Sequence, residues 1–583
     1  MQVRPMAIDQ AAGTTTVGAL DRDVEVLREH ARDWARLGFA GKIRHLRTMR
    51  ARTVEVGAAW ADVAAKAKGI AGTALAGEEW LSGPYGLLIA LDRLIATVGE
   101  VAQFGGPRLP GAVRTRADGQ VVADVFPAQS SDRILLSGVR AETWMAPEIA
   151  RGTLAAHTAS ALHAPKPDGY VTLVLGAGNI ASIAPLDVLS ALYAHGSVVM
   201  LKPNPVNAYL TPFFAHVFGA LVDEGFVRIA SGGADVGAYL CSHPGIDAVH
   251  LTGGERTHDA IVFGTGPDAA ARKAAAQPLL RKMITSELGN VTPVIVVPGP
   301  WSAPDLAFQA AHVATMKLHN AGANCIAAQV VVTPQAWPLA ERFVDAIRGA
   351  LAAAPPRPSY YPGADDRRRA VADAHPTAET FAGPPGGDPR TFVPNLDPAR
   401  HDESLFTTEA FAPVLAQTAL PGEDAASFLR DAVAFCNDVL HGTLGASILI
   451  HPRTIAELGP VFDDAVAALR YGSVTINTWP GVGFLLPTAS WGAFPGNTLA
   501  NVGSGIGCVH NALLFDAPEK TVVRAPFAPF PRSLGDGERA LLPTPPWFVT
   551  HRHADVVGRR IFAFAANPSP VRLAATALDA MRA

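Results

Sequence analysis

The stretch VTLVLGAGNIASIAPLDVLSALYAHGSVVMLKPNP, residues 171–205, decides the fold. Its first eight residues are a continuous apolar run ending in glycine, as a parallel strand buried on both faces would be. PLDVLSALYAHG then carries a helical pattern, and SVVMLKPNP (197–205) reads as the next strand. Asn179, Asp187 and His195 interrupt the apolar run, and Gly176, Gly178 and Pro185 break it. The stretch is therefore strand, turn, helix and strand rather than a membrane span. The alternation continues: FFAHVFGALVDEG reads as a helix, FVRIASG as a strand, and IDAVHLTGG (246–254) as a strand ending in glycines. This spacing predicts an open parallel α/β sheet. GAGN, KPNP and TGG then fall at the carboxyl ends of its strands, where such sheets bind ligands.

Working outward, residues from about 20 to 105 read as helices. EVLREHARDWARL and KIRHLRTMRARTVEVGAAWADVAAKAKG place apolar residues every three or four positions. The Arg-rich KIRHLRTMRAR predicts a solvated helix face. Between 118 and 150, DGQVVADVF and DRILLSGV alternate like two strands joined by a polar turn. A second α/β section runs from SELGNVTPVIVVPG (286–299) to about 500, with GASILIHP and GSVTIN as strands. Its Pro- and Gly-rich part, 354–390, predicts a surface loop. The tail beyond 520 is rich in Pro and aromatic residues and predicts a segment that drapes over the body or meets another subunit.

Composition narrows the classes of function. The chain has 583 residues, enough for two or three domains, with 49% apolar and 17% charged residues as in soluble globular proteins. A formal net charge of −4 gives no basic footprint, which argues against a nucleic-acid partner. The four cysteines, at 241, 325, 436 and 508, are too few and too scattered for a disulfide framework or a zinc site. A reducing cytoplasm is the simplest setting. MQVRPMAIDQAAGTTTVGALDRD, at the N-terminus, lacks the apolar core of a signal peptide.

Cys325 lies in HNAGANCIAAQ (319–329), among small uncharged residues. Asn320, Gly322 and Asn324 keep its approach open, so it reads either as a nucleophile that a substrate must reach or as a structural cysteine. Glu287, in SELGN, reads as a general base at a domain junction or as a surface carboxylate. Asn179 ends the GAGN turn and either donates to an oxyanion beside a nucleophilic sulfur or caps the following helix. Lys202, past a buried strand, either reaches the ribose or 2′-phosphate of a dinucleotide or is a solvated end residue. Gly253 and Gly254 permit close backbone approach to a pyrophosphate at a helix N-terminus, though no G-x-G-x-x-G is present. Glu409 and Phe411, in TTEAFAP, would serve a nicotinamide ribose or pass as loop residues. His319 lies six residues before Cys325, a spacing that also admits a cysteine–histidine hydrolase.

Taken in order, GAGN (176–179), LKPNP (201–205), LTGG (251–254), ELGN (287–290), NAGANC (320–325) and TEAFAPV (408–414) resemble the aldehyde dehydrogenase superfamily. The resemblance runs from about 40 to about 510. It implies an α/β fold of two Rossmann-type parallel domains, a small strand-pair oligomerisation element and an extended C-terminal tail. The implied domains are 20–285, the N-terminal helices and dinucleotide-binding domain with the strand pair near 118–150; 286–500, the catalytic domain; and 501–583, a C-terminal extension. By resemblance Cys325 is the nucleophile that forms a thiohemiacetal and then a thioester. Asn179 holds the oxyanion, and Glu287 activates water. Lys202, Gly253, Gly254, Glu409 and Phe411 bind NAD or NADP, and the protein is a homo-oligomer.

Several positions depart from the family pattern. The family often has Glu three residues after the Lys, where this chain has Pro205; nothing there repels a 2′-phosphate, and NADP becomes as plausible as NAD. ELGNV replaces the usual ELGGK, and Gly254 replaces a common Ser. PNP, TGG, GN and SWGAFPGN (490–497) resemble the CoA-acylating branch, which passes the acyl group to CoA and generally lacks the water-activating Glu. Glu287 is present, which favours hydrolysis to a carboxylic acid. A non-catalytic dinucleotide-binding member is the remaining alternative, against which Cys325, Asn179 and Glu287 together argue. The residues do not name the aldehyde.

Overall fold

The structure, a computed structural model, describes residues 13–164, 168–382 and 385–582; the first twelve residues of the N-terminal stretch discussed above lie outside them. Two sheets organise the chain. The first has the order Gly505–Ile506, Met283–Glu287, Ala248–Thr252, Val171–Leu175, Val198–Lys202, Val227–Ile229. Its last five strands are parallel. Val171–Leu175 is buried along its whole length, as its unbroken apolar run requires. Helices Val17–Arg36, Phe39–Ala67 and Gly86–Phe104 join Thr211–Asp223 in one core with this sheet. The α/β expectation is borne out.

The second sheet has eleven strands. Seven run parallel, in the order Pro518–Arg524, Ser473–Ile476, Gly445–Leu449, Thr292–Val296, Ala328–Pro334, Val414–Leu420, Arg390–Leu396. Arg140–Met145, Val121–Phe126 and Val113–Thr115 extend one edge antiparallel, and Glu379–Phe381 closes the other.

Four expectations need correction. The second strand of the 118–150 pair is Arg140–Met145, not DRILLSGV, because Asp132 accepts the Ala128 and Gln129 N–H groups and turns Asp132–Leu135 into a helical turn. Residues 354–390 are not simply surface loop: they hold helix Ala364–Ala374 and the buried Arg357. The segment from 501 is not a separate extension, since Gly505–Ile506 edges the first sheet and Pro518–Arg524 sits inside the second. Finally, KIRHLRTMRAR is not only a solvated face. Lys42, His45 and Met49 are buried, and Arg50 donates to the carbonyl of Ala565 (2.9 Å) in the tail.

The tail folds back onto the N-terminal helices through helix Ala554–Ala566. Glycines make its seat. A Cβ at Gly57 would lie 2.2 Å from the Phe562 ring, and one at Gly77 would lie 2.3 Å from the Ala554 carbonyl oxygen. One helical stretch among the described residues, Pro205–Asp223, has the length and hydropathy of a membrane span. Its Phe213 and Phe214 instead pack on Trp60 in the core.

Candidate active site

Helix Ala303–Leu318 opens with a capping box in which Ser302 and Asp305 satisfy each other's backbone N–H groups. After it the chain turns sharply, with Asn320, Ala321 and Gly322 all at positive φ (55°, 57° and 74°). For non-glycine residues such a conformation costs about 1–3 kcal/mol and persists only where surroundings enforce it. A Cβ on Gly322 would lie 2.5 Å from the Ala412 carbonyl oxygen, so this turn packs directly on the TEAFAP loop.

A buried polar hub holds the turn. Lys68 Nζ donates to Glu79 (2.7 Å), to the Asn179 carbonyl (2.9 Å) and to Asn320 Oδ1 (3.0 Å), using all three of its donors. Tyr360 donates to the Asn179 carbonyl (2.9 Å), and Glu78, paired with Arg357, accepts the Asn320 N–H (3.0 Å). One hub thus fixes both the GAGN turn and the cysteine loop. Of these six side chains only Asn320 was singled out in the sequence; Lys68 reads there as an ordinary lysine at a helix end.

The hub places Asn179 beside the cysteine loop, where its Nδ2 donates to the Ala323 carbonyl (3.2 Å). Ser182 occupies the N-cap of helix Ile183–Leu189, so Asn179 is not that cap. Cys325 Sγ lies 3.8 Å from Asn324 Oδ1. Burial, together with the Glu287 and Glu409 carboxyls, pushes its thiol well above the usual range, so any chemistry through the thiolate would need a base. Glu287 ends strand Met283–Glu287 within reach of that thiol. Burial raises its pKa against the influence of His510, Cys325 and Trp491 beside it, and neither carboxyl oxygen makes a well-formed hydrogen bond. An uncommitted buried carboxyl beside a thiol suits proton transfer better than structural support.

Behind Glu287 lies a further pair. Asp187 accepts from Thr252 Oγ1 (2.9 Å) and bonds His510 Nε2 (2.9 Å). Burial drives the Asp187 carboxyl up, but the imidazoles of His250 and His510 outweigh it and hold it at about 2. One signal was visible in the residues, a charge inside an apolar helix; its His510 partner is 323 residues away.

Two cavities meet at Cys325. The first, of about 1380 Å³, opens over the carboxyl ends of the first sheet and is bordered by Asn179, Lys202, Gly253, Gly254, Glu287, Glu409 and Phe411. All the residues proposed for chemistry or cofactor binding therefore face one space. Gly254 is the N-cap of helix Glu255–Phe263, and a Cβ there would meet nothing within 4 Å. Burial lowers the Lys202 pKa, which nearby Asp235 raises. Glu409 leans over Gly289, where a Cβ would lie 2.0 Å from its carboxyl, and accepts the Asn290 N–H (3.3 Å). Burial raises Glu409 to about 8. Phe411 stands at φ 44° and packs edge-on against Tyr361, while Arg367 donates to its carbonyl (3.0 Å).

The second cavity, of about 590 Å³, leads from Cys325 between apolar walls that include Trp479, Phe484, Trp491 and the tail. His319 borders it, with its ring 4.8 Å from Trp479 and Nε2 4.0 Å from Glu78. Burial lowers His319 to about 4, and it makes no hydrogen bond to Cys325. The hydrolase pairing is not formed.

The family model described as "Aldehyde dehydrogenase family" matches residues 143–359, which include Asn179, Lys202, Gly253, Gly254, Glu287 and Cys325. The chain is similar to coniferyl aldehyde dehydrogenase of Pseudomonas sp. (strain HR199 / DSM 7063), with 30% identity over 28% of this chain and 30% of that protein. It is also similar to a probable coniferyl aldehyde dehydrogenase of Caulobacter vibrioides, with 28% identity over 44% of this chain and 48% of that protein. The matched stretches thus span between 30% and 48% of these two relatives. A putative aldehyde dehydrogenase from Burkholderia cenocepacia shares the fold at a TM-score of 0.59 and 20% identity, covering 88% of this chain and 93% of that one. The NADP-dependent glyceraldehyde-3-phosphate dehydrogenase of Bacillus halodurans C-125 does so at 0.57 and 17%, covering 87% and 91%. At these identities the structural likeness is one of fold. The family match spans the cysteine loop, and over these stretches the chain is similar to aldehyde dehydrogenases.

Proposed function

We propose that the chain is an NAD(P)-dependent aldehyde dehydrogenase that releases a carboxylic acid. The observation that carries this reading is the position of Cys325 on the border of two cavities, with Glu287 and Asn179 beside it. The groove over the first sheet fits a dinucleotide: it lies at the carboxyl ends of parallel strands, starts a helix at Gly254, and offers Lys202 and Lys282. With Pro205 in place of a carboxylate, both NAD and NADP fit this description.

The residues then divide the work. Glu287 takes the thiol proton, and Cys325 Sγ attacks the aldehyde carbon. Asn179 Nδ2 turns from the Ala323 carbonyl to the oxyanion of the thiohemiacetal, beside the Cys325 N–H. When bound, the dinucleotide supplies the acceptor for the hydride that leaves this carbon, and a thioester on Cys325 remains. Glu287 gives the thiol proton up to solvent and then takes a proton from water; the hydroxide adds to the thioester, the C–S bond breaks, and the proton on Glu287 passes to the departing sulfur as the acid leaves.

Glu287→Gln, which removes the base of both steps, is expected to slow the single-turnover burst of NAD(P)H and the steady turnover, each by about 10²-fold or more. A burst as fast as wild type with slowed steady turnover would confine Glu287 to acyl release. Because burial raises the Glu287 pKa, acyl release in the wild type should climb with pH as that carboxyl ionises above the usual carboxylate range. The Gln variant should lack this limb. Asn179→Ala should slow the chemical step by about 10²-fold; an effect below a few-fold would leave Asn179 a role in packing alone.

Product analysis tests the whole reading. Carboxylic acid formed from an aldehyde with NAD or NADP, and without CoA, supports it and names the cofactor. A CoA thioester, with little turnover in the absence of CoA, would replace it with the acylating reaction. The proposal also includes a homo-oligomer, joined through the strand pair Val121–Phe126 and Arg140–Met145, which Val113–Thr115 flanks at the sheet edge, and a cytoplasmic setting.

A further inference from the structure

We propose that the C-terminal helix Ala554–Ala566 is the outer wall of the substrate tunnel, and that this tunnel selects aldehydes with long apolar chains. The inference rests on the dehydrogenase reading and adds the substrate class. The tunnel, about 590 Å³, begins at Cys325 and runs between Leu81 and Tyr85 of the N-terminal helices, Phe484, and Ile561 and Phe564 of the tail. Binding cavities for small molecules are commonly about 300–1,000 Å³. A three-carbon aldehyde would leave most of this one empty, at a loss of contact on every wall. A straight apolar chain would fill it.

Polar groups lie at the other end. Arg50 and Asp92 border the tunnel, pair with each other and are 26% and 37% exposed, which places the mouth beside them. Arg50 also secures the wall: its Nη2 donates to the carbonyls of Ala565 (2.9 Å) and Ala566 (3.3 Å), the last turn of the tail helix. A cation there satisfies carbonyls that the helix leaves unpaired. Together with the close seats at Gly57 and Gly77, this makes the tail a fitted part of the tunnel rather than a loose appendage.

The experiment compares kcat/KM for straight-chain aldehydes from propanal to dodecanal in wild type, Ala565→Phe and Phe564→Ala. Each methylene buried should raise wild-type kcat/KM by about two- to fourfold until the tunnel is full. Ala565→Phe should lower the ratio of dodecanal to propanal by at least about tenfold, and Phe564→Ala, which shortens one wall residue, should move the optimum. Calorimetry with 1-decanol, an unreactive probe, reads the tunnel without turnover; it should bind wild type, and at least about tenfold more weakly to Ala565→Phe. Oxidation that is equally fast for propanal and decanal would overturn the proposal and leave the dehydrogenase reading intact. Decanol binding with no NAD(P)H from any aldehyde would overturn that reading and support the tunnel. Failure to bind decanol would overturn the tunnel. Should Ala565→Phe lose its fold by circular dichroism, a Phe564→Ala profile identical to wild type would overturn the proposal as well.

Discussion

Cys325→Ser should lower aldehyde-dependent NAD(P)H formation by on the order of 10⁴-fold or more while leaving dinucleotide binding near that of wild type. The environment already works against ionising this position. Burial and two carboxyls raise the thiol pKa, and a hydroxyl starts from a far higher value than a thiol. Glu287 can take a proton from the sulfur; the same carboxyl is much too weak a base to take one from Ser Oγ. The exchange of sulfur for oxygen barely changes volume at a half-buried site, so the fold should survive. Dinucleotide binding followed by fluorescence quenching, beside turnover, checks both halves of the expectation. Turnover equal to wild type would remove Cys325 from the mechanism.

Lys68→Met should destabilise the protein by about 3–5 kcal/mol, because Glu79 is left as an unpaired charge in the interior. Both side chains are essentially without solvent contact, at 0% and 1% exposure. An exposed ion pair such as Arg470–Asp438, at 52% and 65%, belongs to the class worth at most about 1 kcal/mol. The chemistry should suffer too, since Lys68 holds the Asn179 carbonyl and Asn320 Oδ1. Denaturant unfolding midpoints and single-turnover rates measure the two effects. Lys68→Met combined with Glu79→Leu should recover much of the stability and little of the rate, because the apolar pair removes the stranded charge without restoring the donor to Asn179. A loss below about 1 kcal/mol in the single variant would show that water or a rearranged Arg357 reaches Glu79.

The parallel strands were legible because burial on both faces leaves a plain mark, an apolar run ended by glycine, as in VTLVLGAG. The positions now gathered around one groove were legible in the same way, since each follows a strand end or a tight turn. The hub was not. Lys68, Asn320 and Tyr360 come from three distant segments, and no local pattern tells a lysine that will be buried from one that will be solvated. Composition misled at 354–390, where Pro and Gly suggested a loop and hid the segment that carries Arg357 and Tyr360 into the hub. It misled in the tail as well, where Pro and aromatic residues concealed a strand placed within the second sheet. Asp187 was visible as a charge in an apolar helix, yet its meaning depended on His510, which no local reading could supply.

Pro518–Arg524 is inserted between the antiparallel strand Arg140–Met145 and the parallel strand Ser473–Ile476, and Gly505–Ile506 pairs with the strand that ends in Glu287. The order of synthesis therefore matters. When residue 500 has been translated, both of those sheet neighbours still present unpaired edges, and the tunnel lacks its outer wall. Roughly sixty further residues must be added before Ala566 is made, about 3–12 s at ordinary elongation rates. During that interval the open edges are a hazard for pairing with other chains, and the thiol has no finished tunnel to receive a substrate. A product truncated near residue 500 would therefore carry Cys325 with two sheet edges open and one wall of the adjoining cavity absent.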